Sequence, residues 1–243
     1  MNRRDLLKST LAAGATLATV GAGRLAAQAP APLPAQPFKG TPRDRALFKI
    51  ASDELARAGD AIWKRDIVGI ADYARHSANR RFHLVNLERQ EVKSFHVSHG
   101  AGSDPEHDGW LNSYSNVEGS NATSRGAYVT WEWYQGRYGT SVRLGGLDET
   151  NNNALRRYIV MHRAKYAEPE HLKRWGRMGR SNGCFVLGEA DFREALLNLS
   201  GGRLLFADSI GLQEDGSFAM RGNLVPLQPD RPNIRQRYMP GTF

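Results

Sequence analysis

The chain carries one cysteine, Cys184, inside the stretch Gly179–Arg180–Ser181–Asn182–Gly183–Cys184–Phe185. Upstream, the strand-like run Tyr158–Ile159–Val160–Met161 ends on His162. One thiol, one imidazole on a separate element and a glycine-shaped turn are the parts of a nucleophilic acyl-transfer site. A free thiol is only a few per cent thiolate at neutral pH, so it needs a neighbouring base or positive charge before it attacks a carbonyl. His162 is the candidate base. A lone cysteine also has a plainer use, as a small buried hydrophobe, and the residues around this one weigh against that use.

The N-terminus decides which redox compartment the thiol meets. Asn2–Arg3–Arg4–Asp5–Leu6–Leu7–Lys8 closely resembles a twin-arginine export signal. The uncharged run from Ser9 to Gly23 that follows is shorter than the roughly twenty apolar residues a spanning helix needs. Small residues at Ala26, Ala27 and Ala29 suit signal peptidase. No cysteine lies in this segment, so no lipid or other stable membrane anchor is expected and the mature protein belongs in a periplasm. A single cysteine there cannot form an internal disulfide, which leaves it buried and inert or free and reactive.

The formal net charge of +8 raises the question of nucleic acid, but Arg3, Arg4, Lys8 and Arg24 against Asp5 supply +3 of it. The rest is scattered, densest at Arg156–Arg157, Arg174, Arg177 and Arg180. No zinc-finger, homeodomain or RNA-recognition pattern accompanies it. A basic face for an anionic polymer or for substrate carboxylates fits better, and no nucleic-acid partner is expected.

Several elements must position the site. Residues 1–29 read as the signal peptide and 30–42 as a proline-rich extended linker. Thr41–Pro42 with Asp44 starts a helix, and Leu47, Ile50, Ala51, Leu55 and Ala58 give it one apolar face to Gly59; with a short turn after it, this N-terminal helical segment covers 43–64. Ile67–Tyr73 is an apolar strand. Arg81–Leu87 and Val92–Val97 form a hairpin, with His83 and His96 on its solvent side. His99–Gly100 opens a long polar loop, 101–125, that Trp110 and Tyr114 order as the cover of a cleft. Gly126–Tyr134 and Thr140–Leu144 make a second hairpin. A short helix over Asn153–Tyr158 leads into the strand Ile159–His162. A helix from Glu189 to about Leu199 and a strand Arg203–Ala207 follow, then a C-terminal tail, 209–243. Strands dominate, so the fold class is mostly β with minor α-helices in a single domain.

The order of motifs resembles the murein L,D-transpeptidase catalytic domain, in its YkuD-like branch. That signature is a histidine followed after a spacer by Ser/Thr–His–Gly–Cys and an apolar residue. Here it reads His162, then Ser181–Asn182–Gly183–Cys184–Phe185. His99–Gly100, Ser115–Asn116, Ser124–Arg125–Gly126, Tyr134–Gln135–Gly136, Gly145–Gly146–Leu147 and Arg157–Tyr158–Ile159–Val160–Met161 precede it in the expected order. The resemblance spans about residues 66–208 and implies a β-sandwich or barrel catalytic domain. Asn182 stands where the signature has a histidine, and the 22 residues from His162 to Cys184 exceed the common spacing.

The resemblance implies a cysteine acyltransferase acting on peptidoglycan stem peptides. Cys184 attacks the third stem residue, terminal D-alanine leaves, and an amine resolves the thioester into a 3–3 cross-link. If water resolves it, the same site is an L,D-carboxypeptidase. A non-catalytic cell-wall-binding protein is the alternative from another class. Among helpers, the N–H groups of Gly183 and Cys184 are placed to face an oxyanion, and Ser181 and Asn182 shape the turn. Arg180 is placed to lower the thiol pKa or bind peptide carboxylates, and His99 to line the cleft. His107 and His171 read as solvated loop residues. No histidine spacing suits zinc, and no cofactor is expected. A papain-type peptidase is excluded because no histidine follows Cys184.

Overall fold

The computed structural model describes residues 40–219. The expected export signal, nearly all of the expected linker and most of the tail lie outside them. Helix α1 (Pro42–Ala58) begins as its residues predict: the Thr41 side chain accepts from the Asp44 N–H while the Asp44 carboxylate accepts from the Thr41 N–H. That reciprocal cap is worth about 1 kcal/mol. Gly59, at φ 56°, ends the helix and opens a 3-10 turn to Ala61.

Eight strands make one sheet. They are β1 (Ile67–Asp72), β2 (Phe82–Asn86), β3 (Glu91–Phe95), β4 (Gly126–Gly136), β5 (Gly139–Gly146), β6 (Val160–Arg163), β7 (Phe185–Leu187) and β8 (Leu204–Asp208). Their order is β3-β2-β1-β8-β4-β5-β6-β7, with β1–β8 and β6–β7 parallel and the other neighbours antiparallel. Beyond β3, Ser98 bridges to Val186 of β7, so the last strand meets the continuation of the first and the sheet nearly closes into a barrel.

Alternation along the strands sends side chains to two faces. Ala71, Phe82, Leu84, Tyr128, Val142, Leu144, Met161, Phe185, Leu187, Leu205 and Ala207 fill the inside, together with Phe192, Ala195 and Leu199 of α3 (Glu189–Leu199). Gly69 makes room for that helix, since a Cβ there would lie 2.8 Å from Leu199. On the outer face, Leu47, Ala51 and Leu55 of α1 cover Val68, Ile70, Val85, Val129, Leu204 and Phe206. The outer face of β6 and β7 carries a smaller cluster: Val160, Ala167, Met178, Cys184 and Val186.

Four expectations change. His83 is not solvated: it is 1% exposed, because α1 covers the face that alternation assigns to water. Its Nδ1 lies 2.8 Å from Ser94 Oγ, and Arg43 of α1 sits 3.4 Å from the ring. Residues Asn153–Tyr158 form consecutive turns and no helix. Two elements have no counterpart in the sequence reading, β7 and the helix α2 (Pro169–Trp175). The loop 101–125 packs its backbone tightly; a Cβ on Gly102 would fall 1.9 Å from Ser120 O. Its Ser103, Asp104, Thr123 and Ser124 are fully buried, so this stretch is a wall of the molecule.

Burial pushes His83 down to about 3 and His99 to about 4, whereas an unfolded histidine titrates near about 6.5. Below that pH the unfolded chain binds protons the folded one refuses, and each ring withdraws about 1.4 kcal/mol per pH unit until its folded pKa is reached. The urea midpoint therefore falls on going from pH 7 to pH 5. An unchanged midpoint would contradict the burial of both rings.

Candidate active site

Strands β6 and β7 run parallel with Met161 beside Phe185 and His162 beside Val186. Extending that register places Val160 beside Cys184. Alternation then puts Val160, His162, Cys184 and Val186 on the outer face, while Met161, Phe185 and Leu187 point into the core. His162 and Cys184 are diagonal neighbours, with Cα atoms roughly 8 Å apart by ordinary strand rise and spacing.

The turn before Cys184 is held from three sides. Ser181 Oγ donates to Cys184 O at 2.8 Å and accepts from Gly183 N at 3.1 Å. The Ser181 N–H donates to His99 O at 2.9 Å, and Ala101 N donates to Ser181 O at 2.7 Å. Gly183 has φ +108°, and a Cβ there would lie 2.6 Å from Ala122 O and 2.8 Å from Ile159 Cδ1. Only glycine meets both demands. The Gly183 N–H is thereby taken by Ser181 and does not face an open oxyanion position. Asn182 is exposed at the tip of the turn.

Cys184 is 8% exposed, and its Sγ donates to Tyr158 O at 3.6 Å. Burial raises the thiol pKa; a backbone hydrogen bond from Val160 and the positive charge of Arg157 pull it partly back. Arg157, rather than Arg180, is the cation that acts on the sulfur. It also binds the wall, donating to Ser115 O at 2.7 Å and Ala122 O at 2.5 Å. Tyr158, which presents the carbonyl to the thiol, has φ +55°, a backbone conformation that costs a non-glycine residue roughly 1–2 kcal/mol. The preceding turn imposes it, through Tyr158 N to Leu155 O and Ile159 N to Ala154 O.

His162 is 2% exposed. Its Nδ1 lies 2.9 Å from Arg163 O. A carbonyl only accepts, so Nδ1 carries the proton and Nε2 keeps its lone pair, the tautomer a general base needs. Burial lowers the pKa of the ring, against the Arg163 hydrogen bond. Tyr138, from the β4–β5 turn, stacks on the imidazole with centroids 4.3 Å apart and planes at 14°. No hydrogen bond joins His162 to Cys184. At rest the two are a neutral thiol and a neutral imidazole.

The remaining expected helpers lie behind the turn. His99 is buried, accepts from Arg81 at Nδ1 over 2.9 Å and donates from Nε2 to Asp104 over 3.0 Å. Both ring nitrogens are engaged, so His99 holds the wall and does not line a cleft. Arg180 donates to Asp104 O and to Pro105 O, which ties the same wall to the turn. Arg157 stood in the sequence as part of a basic pair; the Tyr158 and Arg163 carbonyls had no signal at all. Among the described residues, no three His, Cys, Asp or Glu side chains gather as a metal site.

A family model described as the L,D-transpeptidase catalytic domain matches residues 43–207, including α1. The chain belongs to that family. A comparison with curated proteins found no match. Among solved structures, an L,D-transpeptidase from Mycobacterium smegmatis is 15% identical over 59% of this chain and 58% of that one, at a TM-score of 0.36. L,D-transpeptidase 3 from Mycobacterium tuberculosis, in complex with a faropenem-derived adduct, is 14% identical over 59% and 60%, at 0.37. The helical cell shape determining protein Pgp2 from Campylobacter jejuni is 11% identical over 68% and 56%, at 0.37. The chain spans less than two thirds of the length of each, and membership rests on the family model.

Because burial raises the Cys184 pKa, alkylation of the folded protein by iodoacetamide accelerates only above the ordinary thiol range of about 8.5. Arg157→Gln removes the charge that favours thiolate and moves the inflection higher still. An inflection near pH 7 would contradict a resting neutral thiol.

Proposed function

We propose that this L,D-transpeptidase-family protein is an exported cysteine acyltransferase of peptidoglycan stem peptides. The observation that carries it is the shared outer face of β6 and β7, where the chain's only thiol lies diagonal to an imidazole in the base tautomer. Apo geometry of this kind tightens when substrate arrives.

The steps balance as follows. Nε2 of His162 takes the Cys184 proton as sulfur bonds to the carbonyl carbon of the third stem residue. The tetrahedral oxyanion collapses, the C–N bond to terminal D-alanine breaks, and the imidazolium returns its proton to the departing amine. The thioester is then attacked by an amine of a second stem, His162 taking the amine proton as the new amide forms and passing it to the departing Cys184 thiolate. The product is a 3–3 cross-link; water in place of the amine gives a tripeptide. The twin-arginine-like start supports a periplasmic site of action.

With purified tetrapeptide stems, Cys184→Ala abolishes D-alanine release without lowering the thermal midpoint. His162→Gln lowers the rate by about 10²–10⁴. Turnover retained in Cys184→Ala would overturn the mechanism, and separation of dimers from tripeptides distinguishes transfer from hydrolysis.

A further inference from the structure

His162 lies on the outer face of β6, yet its ring is 2% exposed, and a side chain from the β4–β5 turn covers its face. The last rung of that hairpin is Gly136 opposite Gly139, which leaves Arg137 and Tyr138 as the turn. Gln135 Nε2 donates to Thr140 Oγ1 at 2.8 Å and ties the ribbon just before it. Ser141 of β5 pairs with His162 of β6, so the turn reaches across the end of β6. A Cβ on Gly139, at φ +80°, would lie 3.6 Å from Arg163 Nη2. From there Tyr138 stacks on the imidazole, with 4.3 Å between centroids and 14° between planes. Tyr138 is itself 47% exposed, so burial of its own surface is a weak reason for this placement.

The proposed reaction makes His162 an imidazolium each time it takes a proton, and a buried cation needs a compensating partner. Among the described residues no carboxylate lies within ion-pair distance of the ring. The Arg163 carbonyl holds the Nδ1 proton, while burial works against the charged form. The face of a phenol ring is the negative part of its quadrupole and attracts a cation within about 6 Å of the centroid. The other groups around the pair carry no such charge. Cys184, Tyr134 and Tyr166 pack in the same cluster, and burial raises the pKa of all three, so they stay neutral. The Arg163 side chain is held by Glu189. Arg137 is exposed and lies 5.9 Å from the Tyr138 centroid, at the outer limit of that attraction.

We propose that Tyr138 is a positioning residue for His162, its ring face fixing the imidazole plane and stabilising the imidazolium that takes the Cys184 proton. This rests on the proposed function and adds to it the group that stands in for a carboxylate partner. The Nδ1 hydrogen bond alone fixes one edge of the imidazole and leaves rotation about that edge; the stack removes it. The gain falls on the charged form, so it is felt when the proton moves and not at rest.

Nitrogen NMR of histidine-labelled Cys184→Ala protein reads the charge of the ring without turnover, the His162 signal being assigned by its loss in His162→Gln. Tyr138→Leu keeps an apolar cover but removes the π face, and moves the His162 titration about half a unit lower, a factor of about three. Tyr138→Phe restores the face and recovers most of that shift. In the protein that retains Cys184, Tyr138→Leu lowers kcat for D-alanine release by about threefold or more with little change in KM. A His162 titration unmoved in Tyr138→Leu, or moved as far in Tyr138→Phe, would overturn the role. If the titration moves as expected but no D-alanine is released, the reaction fails while the hold of the ring on the imidazolium stands. Release that depends on Cys184 and His162 but is indifferent to Tyr138→Leu leaves the reaction and overturns the role of Tyr138.

Discussion

The parallel register between β6 and β7 is the constraint on which the site depends. Side chains alternate with period two, so a slip of β7 by one residue would carry Cys184 into the barrel interior, away from His162, and bring Phe185 out. The large inner core prevents that slip, because Met161, Phe185 and Leu187 pack there with Tyr128 and Leu144. A three-residue strand would be a weak determinant alone. Ser181 extends its reach by binding both ends of the turn that enters it. The wall then fixes the turn from outside through His99 O and Ala101 N. Core packing, turn and wall thus converge on the placement of one sulfur atom.

Electrostatics at that atom favour restraint. A thiolate held permanently beside an imidazolium would be exposed to oxidation; here burial keeps both groups neutral, against a modest pull from Arg157. The thiol donates to a carbonyl, which can accept its proton in a hydrogen bond but cannot remove it. In the proposed mechanism activation comes from His162 closing on the sulfur, with its Nδ1 proton anchored on Arg163 O and its ring face supported by Tyr138. Tyr138 lies on the turn of the β4–β5 hairpin, so the end of a long ribbon touches the candidate base.

What the sequence made legible was local. Thr41, Pro42 and Asp44 announce a helix start by their own chemistry, and the hairpins around Glu88–Gln90 and Arg137–Tyr138 show in alternation and turn residues. The candidate nucleophile and base could be named because side-chain types suggest them. Alternation could say that His83 and Val85 share a face but not that α1 would cover it, since that is settled by tertiary packing. Strand β7 is too short to show a period, and α2 has no buried residue to mark an apolar stripe. Arg180 looked like a substrate contact as a cation near the candidate nucleophile, and His99 did as a ring at a strand end beside Gly100. Their hydrogen bonds go to the wall instead, and backbone carbonyls such as those of Tyr158 and Arg163 leave no trace in residue type.

The most direct test of the account is the intact mass of the protein trapped during turnover of a tetrapeptide stem. A thioester predicts a transient increase equal to the tripeptidyl acyl group, mapped by digestion to the peptide containing Cys184 and absent from Cys184→Ala. Product formation with no such adduct under rapid acid quenching, or an adduct on another residue, would contradict it.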